Sequence, residues 1–287
     1  VIALSPKVEH LDIVEIEPAV VEASEFFVDV NHNVLRDRRT QVITNDARNH
    51  LLLSAPGAYD LVASEPSNPW ISGVANLFTR EFFVLGRTRL KPGGVWAQWL
   101  PTYGLGDSEM RTLMATFADV FPHVLVYSTI DNADVVMLGS DRPMIPSLES
   151  SQRIFEDPQL AAELRNVHIA DPIVLASRFL FDEEGIAAMG EGVVLNTDDN
   201  MRIEYLAPLK VHAQTTEGNV RLMARYARLP WPEGSVDPLK LADLARAYAE
   251  IDDARRTREA FLAAAALLED DDPLRQEWIR NAQLLAD

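Results

Sequence analysis

Along the first 140 residues, stretches in which apolar and polar residues alternate one by one give way to stretches in which apolar residues recur every three or four positions. "HLDIVEIE" (10–17) alternates and is rich in β-branched residues, which predicts a strand. "PAVVEASEFF" (18–27) opens on a proline and keeps helical spacing, which predicts a helix. The same reading predicts strands over 40–46, 59–65 and 95–101. It predicts helices over 47–54, over 79–90 with the "KPGG" turn as its stop, and over 107–121 with Asp107 as its cap. "HVLVYSTIDNADVVMLGS" (123–140) reads as an antiparallel hairpin turning at Asp131–Asn132. Strand alternating with helix predicts an α/β fold with a parallel sheet covered on both faces.

The pattern then changes. Residues 145–192 are mostly helical with Pro and Gly breaks, and "GVVLNTDDNMRIEYLAP" (192–208) returns to strand-like residues around an acidic turn. "PWPEGSVDP" (230–238) is the clearest linker. Beyond it, two helices meet at Ile251–Asp253, with Leu244, Ala245, Tyr248, Phe261 and Ala264 at the packing positions of a tetratricopeptide-like hairpin spanning about 239–268. Such a unit cannot bury both its faces alone, and a plain helical hairpin packed on the sheet fits equally well. The division expected is a sheet domain over 1–210 and a helical region over 211–287.

Composition narrows the classes of function. Hydrophobic residues make up 47% of the 287 and charged residues 24%, enough for an extensive core. No apolar run of ~18 residues is present to span a membrane. The opening residues lack the basic and apolar regions of a signal peptide, and they start in mid-pattern without an initiator Met, so the expectation is a chain whose natural beginning lies upstream. The absence of cysteine excludes disulfides and thiolate chemistry and fits a reducing, cytoplasmic setting. A net charge of −18 argues against nucleic acid and anionic membranes as partners and permits a small cation. His10, His32, His50, His123, His168 and His212 form no pair at metal-ligand spacing, so no metal is expected.

In an open parallel sheet, ligands bind where the strands end. Three strand ends carry acids or amides: Glu15 and Glu17, Asn45 and Asp46, Glu65 and Asn68. One crevice lined by carboxylates is the functional reading; solvated strand ends and helix caps are the plain one. A carboxylate in the place of Glu15 accepts hydrogen bonds from ribose hydroxyls in nucleotide folds, and Asp46 is placed to accept from an adenine amine. Pro66 restricts Glu65 to an extended conformation. Together with Pro69 it makes a stiff shelf holding Glu65, Ser67 and Asn68. Trp70 beside that shelf is expected near a ligand, Trp96 and Trp99 in core or pocket wall, and "TDD" (197–199) in a turn.

"VEIEPAVVEAS", "NDARNHLL", "YDLVASEPSNPWISGVANLFTREFF" and "LKPGGVWAQWLP" stand in the order and spacing of the blocks of the spermidine/spermine synthase (polyamine aminopropyltransferase) family. The chain resembles most closely the bacterial spermidine synthase-like proteins that carry such a domain beside a membrane-embedded region. Residues 8–140 carry the likeness, and "LNTDDNMRIEYLAP" is similar to the end of that domain. The resemblance implies a class I S-adenosylmethionine methyltransferase-like (Rossmann-like) sheet, here without its first strand and glycine loop, followed by the helical end. It implies decarboxylated S-adenosylmethionine as co-substrate and putrescine or a related amine as acceptor. Residue by residue, Glu15 matches the ribose acid, Asp46 with Ala47 the adenine side, Glu65 the catalytic acid, and Asn68, with Ser67 before it, a second acid that holds the amine. Gln98 and Tyr103 lie in the segment approaching the substrate. Where the family has Asp-Ser-Ser-Asp, this chain has Glu65-Pro66-Ser67-Asn68, one methylene longer at the first acid and one charge fewer at the second. An S-adenosylmethionine-dependent methyltransferase and a non-catalytic binding module remain alternatives of the same fold. So do a homodimer and a protein partner on the C-terminal helices.

Overall fold

A computed structural model of the chain describes residues 2–129 and 132–285. Strand β1 (Leu11–Glu15) is followed by α1 (Pro18–Ala23), a 3₁₀ turn over Ser24–Phe27 and α2 (Val28–Asn31). The chain then returns as β2 (Thr40–Thr44), parallel to β1, with Leu11 opposite Thr40 and Glu15 opposite Thr44. Pro18 sits at the first helical position of α1, where its missing N–H has no partner to lose, and the Glu17 carboxylate accepts from Ala19 N at 2.9 Å. Helix α3 (Ala47–Leu53) leads to β3 (Tyr59–Ser64), and α4 (Arg80–Arg89) crosses over to β4 (Leu90–Pro101), parallel to β3.

After α5 (Asp107–Val120) comes the hairpin β5 (His123–Ser128) and β6 (Asp134–Ser140). Helices α6 (Leu148–Phe155), α7 (Pro158–Asn166) and α8 (Pro172–Ser177) precede a further strand, β7 (Phe179–Asp182), which pairs antiparallel with β5. The chain continues through α9 (Glu183–Met189), α10 (Arg202–Leu206) and α11 (Thr216–Ala224). It ends in α12 (Pro238–Glu250), α13 (Ala254–Ala266) and α14 (Pro273–Gln283). The second sheet runs β3-β4-β6-β5-β7, so the α/β sheet is mixed: parallel where a helix crosses over, antiparallel from the hairpin onward. Side chains tie the two sheets at the strand starts, where the Tyr59 hydroxyl donates to Asp12 Oδ2 at 3.1 Å and lies 2.7 Å from His50 Nε2.

Several elements differ from the sequence reading. Residues 192–201 form no strand; their backbone groups bond to side chains, and α10 follows. Strand β7 arises inside a stretch read as helical. Helix α5 is capped by Gly106, whose N–H donates to Glu109 Oε2 at 2.9 Å, while Asp107 is already helical and pairs with Arg111. Asp131 of the hairpin turn lies outside the described residues. Asp272 starts α14, a third helix beyond the expected hairpin, by accepting from Leu274 N at 2.8 Å.

Two cores form. The larger packs the β4 and β6 faces on α4 and α5, with Trp96 edge-on to Phe82 at 5.4 Å and Phe83 edge-on to Phe117 at 5.1 Å. Such edge-to-face pairs add to burial through the ring quadrupoles. Leu222, Met223 and Ala227, beyond residue 210, belong to this core. The second core gathers Leu244, Ala245, Tyr248, Phe261, Ala264 and Trp278 from α12–α14, and Ala176 of α8 joins it. Arg256 is buried within it, 4.3 Å over the Tyr248 ring, and donates to the Phe179 carbonyl. No helix among the described residues is long and apolar enough to cross a membrane.

Gly86 of α4 is the closest approach in the larger core: a Cβ there would lie 2.0 Å from the Trp96 ring. Gly218 of α11 faces open space. Gly86→Ala is expected to lose about 1–3 kcal/mol by overpacking, whereas Gly218→Ala should gain up to about 1 kcal/mol from helix propensity. Urea unfolding of the two variants measures the contrast.

Candidate active site

Strand β3 ends at Ser64 and the chain bends at once. Pro66 keeps Glu65 extended, Pro69 is buried, and the Asn68 carbonyl accepts from Ile71 N at 3.0 Å, closing the shelf into a turn. Glu65 and Ser67 stand exposed. Asn68 differs: its side-chain Oδ1 is buried and meets no donor among the described residues. Leaving a buried acceptor unpaired costs on the order of 1–3 kcal/mol.

The loop after the shelf is braced from three sides. Ser72 Oγ and Gly73 N both donate to Glu204 Oε1, at 3.0 and 2.9 Å. Asn196, fully buried, donates through Nδ2 to the Phe78 carbonyl at 3.1 Å and accepts from Ile203 N at 3.1 Å. Arg48 donates to the Asn76 carbonyl at 3.1 Å and pairs with Asp198, whose carboxyl it holds below the usual range. The "TDD" stretch is thus a turn whose first acid is recruited to this brace.

Glu15 and Asp46 close adjacent parallel strands, and Asn45 N donates to the Glu15 carbonyl at 3.1 Å. Each carboxylate has one oxygen committed. Glu15 Oε1 accepts from Glu17 N at 2.8 Å, and Asp46 Oδ1 caps α3 by accepting from Asn49 N at 2.8 Å. Ala47 begins α3 beside Asp46. Arg48 follows directly, so its bonds to Asn76 and Asp198 tie the end of β2 to the loop beyond β3. The acids therefore share one end of the two sheets. The two hollows of about 330 and 310 Å³ lie elsewhere, one along α1 and α2, the other beside β7 and residues 228–232.

Gln98 is fully buried, with both ends of its amide in use: Oε1 accepts from Trp96 Nε1 at 3.1 Å and Nε2 donates to the Trp99 carbonyl at 3.1 Å. Tyr103 is exposed after β4, with its ring 5.7 Å from that of Trp70 at a 65° tilt. Gly104 allows that approach, since a Cβ there would lie 2.3 Å from the Trp70 ring, and its φ is +66°. Shelf and β4 loop thus form an aromatic corner beside Asn68. Sequence reasoning missed Arg48, Asn196 and Glu204. They act over long sequence separations that periodicity does not reveal, although the "LNTDDNMRIEY" block already stood out.

Residues 2–132 match the spermine/spermidine synthase domain. A polyamine aminopropyltransferase from Synechococcus sp. is 32% identical over 212 residues, covering 69% of this chain and 66% of the relative. Putrescine N-methyltransferase 1 of Nicotiana tabacum is 27% identical over 155 residues, covering 53% of this chain and 40% of that one. The chain thus spans less than two thirds of the length of these relatives. Among solved structures, a probable spermidine synthase from Corynebacterium glutamicum is 20% identical with a TM-score of 0.45, covering 65% of this chain and 63% of that one. Residues 2–132 thus carry a match to the spermine/spermidine synthase domain, and the chain is similar to a polyamine aminopropyltransferase over 212 residues.

Proposed function

We propose that this chain carries the nucleotide and amine sites of an aminopropyltransferase, which moves an aminopropyl group from decarboxylated S-adenosylmethionine to putrescine or a related short amine. The observation that carries the reading is the shelf: an exposed carboxylate, Glu65, and a buried, unpaired amide oxygen, Asn68 Oδ1, each followed by a proline at a strand end. Both are acceptors, and an alkylammonium offers only donors.

The residues fit the nucleotide. Glu15 and Asp46 stand on adjacent strands with one oxygen each outside their capping bonds, suited to a ribose diol and an adenine amine. Ala47 leaves the space beside Asp46 free of a long side chain. When bound, the nucleotide supplies a methylene activated by its sulfonium. An alkylammonium has a pKa near ~10 and no lone pair until it loses a proton. Glu65 binds the cation and takes that proton, and the freed nitrogen bonds to the methylene carbon while the C–S pair passes to sulfur. Pro66 and Pro69 pre-set the alignment, and misplacement of about 1 Å in such a step costs ~100-fold. Trp70 and Tyr103 offer ring faces to the cation. Gln98 acts from beneath, holding Trp96 and the Trp99 carbonyl.

Methyl transfer from S-adenosylmethionine is the second reading, favoured by the likeness to the tobacco putrescine N-methyltransferase. Titration calorimetry and turnover on the full-length protein separate the two. Preference for the decarboxylated nucleotide supports aminopropyl transfer, preference for the carboxylated one supports methyl transfer, and binding of neither leaves a non-catalytic module. Glu65→Gln is expected to cut turnover ~100-fold or more with nucleotide affinity nearly unchanged. Glu15→Ala should instead weaken nucleotide binding about 10-fold or more. Full activity in Glu65→Gln would remove Glu65 as the base. Gly104→Ala, which drives a methyl group into the Trp70 ring, should raise the amine KM more than it alters nucleotide affinity; steady-state kinetics with each substrate varied reads the difference.

A further inference from the structure

Asp134 opens β6 directly opposite Pro101, at the end of β4. Its backbone is pinned to Thr129, with Asp134 N donating to Thr129 Oγ1 at 3.2 Å. Its carboxyl Oδ1 is buried and meets no donor among the described residues. Burial raises the carboxyl above its ordinary range, and the Trp99 indole beside it offsets part of that cost.

Register places this acid on the sheet face that carries Trp99. Trp96, Gln98 and Leu100 face the core with Met137 and Val135, so Trp99 and Asp134 project from the opposite face of the sheet. Strand β3 ends where Ser64 pairs with Gln98, so Glu65 leaves the sheet at the same end at which Asp134 enters it. Strand β3, which leads into Glu65, and β6, which Asp134 opens, lie two strands apart, about 10 Å between backbones. Tyr103 lies between them: burial raises its hydroxyl and the charge of Asp134 raises it further, while its ring touches Trp70 of the shelf. Two unpaired acceptors, Asn68 Oδ1 and Asp134 Oδ1, thus flank one aromatic corner.

We infer that Asp134 is the second anionic contact of the amine site, receiving the far ammonium of a diamine while Glu65 holds the reacting one. The inference rests on the amine reading of Glu65 and names the substrate class as a short diamine rather than a monoamine. It locates the charge that the shelf lacks at Asn68. The stability side follows from linkage. A carboxyl raised on folding favours the protonated native state, so its contribution to stability is full below its unfolded pKa and is lost as pH rises through the folded value. In its ionised form this acid is partly desolvated, with the Trp99 indole beside it and Oδ1 left without a donor, a cost that a bound ammonium relieves.

The test compares Asp134→Asn with wild type in the full-length protein, using 1,4-diaminobutane and butylamine as acceptors, with thermal unfolding in parallel. The ratio of kcat/KM for diamine over monoamine should fall about 10- to 100-fold, as expected for a charged hydrogen bond. The melting temperature should hold or rise, and the extra thermal stabilisation given by the diamine should be lost. An unchanged ratio overturns the inference. So does an equal loss for both amines with a lowered melting temperature, which marks a purely structural acid. If neither amine is turned over, calorimetric titration of the same two amines reads the ratio. A diamine preference abolished in Asp134→Asn keeps the inference while the transfer reading falls alone, and no preference in wild type overturns it.

Discussion

A single buried amide fixes the geometry on which the lip depends. Asn196 donates to the Phe78 carbonyl, accepts from Ile203 N, and through its backbone N–H reaches Thr116 Oγ1 at 2.9 Å. It thereby joins the loop after β3, helix α5 and the start of α10, segments as far apart in the chain as Phe78 and Ile203. In a low-dielectric interior each of these bonds is strong when made and expensive when broken. Glu204, one residue past Ile203, then reaches Ser72 and Gly73. The prolines stiffen the shelf from within, but Asn196 and Glu204 determine where it points.

Much of this arrangement was readable in the chain, for identifiable reasons. Helices with a proline at the first position, such as α1 and α12, and strands bounded by turn residues, such as β3, were set by local signals. The four ordered blocks around Glu15, Asp46, Glu65 and Trp96 led to the family. Strand β7 was not readable, because four residues inside a helical stretch carry no period of their own and the strand exists only through pairing with β5. Residues 192–208 look strand-like because they are apolar and β-branched, yet Asn196 and Thr116 take the bonds that a neighbouring strand would have taken. The place of Gln98 turns on the two-residue alternation of β4, which puts it with Trp96 on the core face.

The acids at the lip divide into two physical kinds. Glu15 and Asp46 spend one oxygen each on a nearby backbone N–H, which fixes the carboxylate and leaves the other oxygen oriented. One oxygen of Asp46 caps α3 and one of Glu15 holds the turn into α1, and the nucleotide contacts proposed for the other two oxygens leave that geometry unchanged. Glu65 is of the other kind, held only by the backbone of the shelf. A group that binds a cation and then takes its proton needs that freedom, because both charge states must be accommodated in turn.

Charge accounting across the lip gives these differences one meaning. An amide at position 68 keeps an acceptor for an ammonium and removes the repulsion that a second carboxylate so close to Glu65 would add to the empty site. Two unit charges about 4 Å apart repel by roughly 4 kcal/mol at a surface-like dielectric, falling inversely with distance. Moving the second charge two strands away, to Asp134, relieves most of that repulsion. On the proposed assignment, it also lets the site measure the distance between two ammonium groups. The cost is one buried carboxyl oxygen without a donor, which is tolerable because the Trp99 indole and a rigidly bonded backbone hold the group in place. A flexible acid in the same position would turn out to solvent and measure nothing.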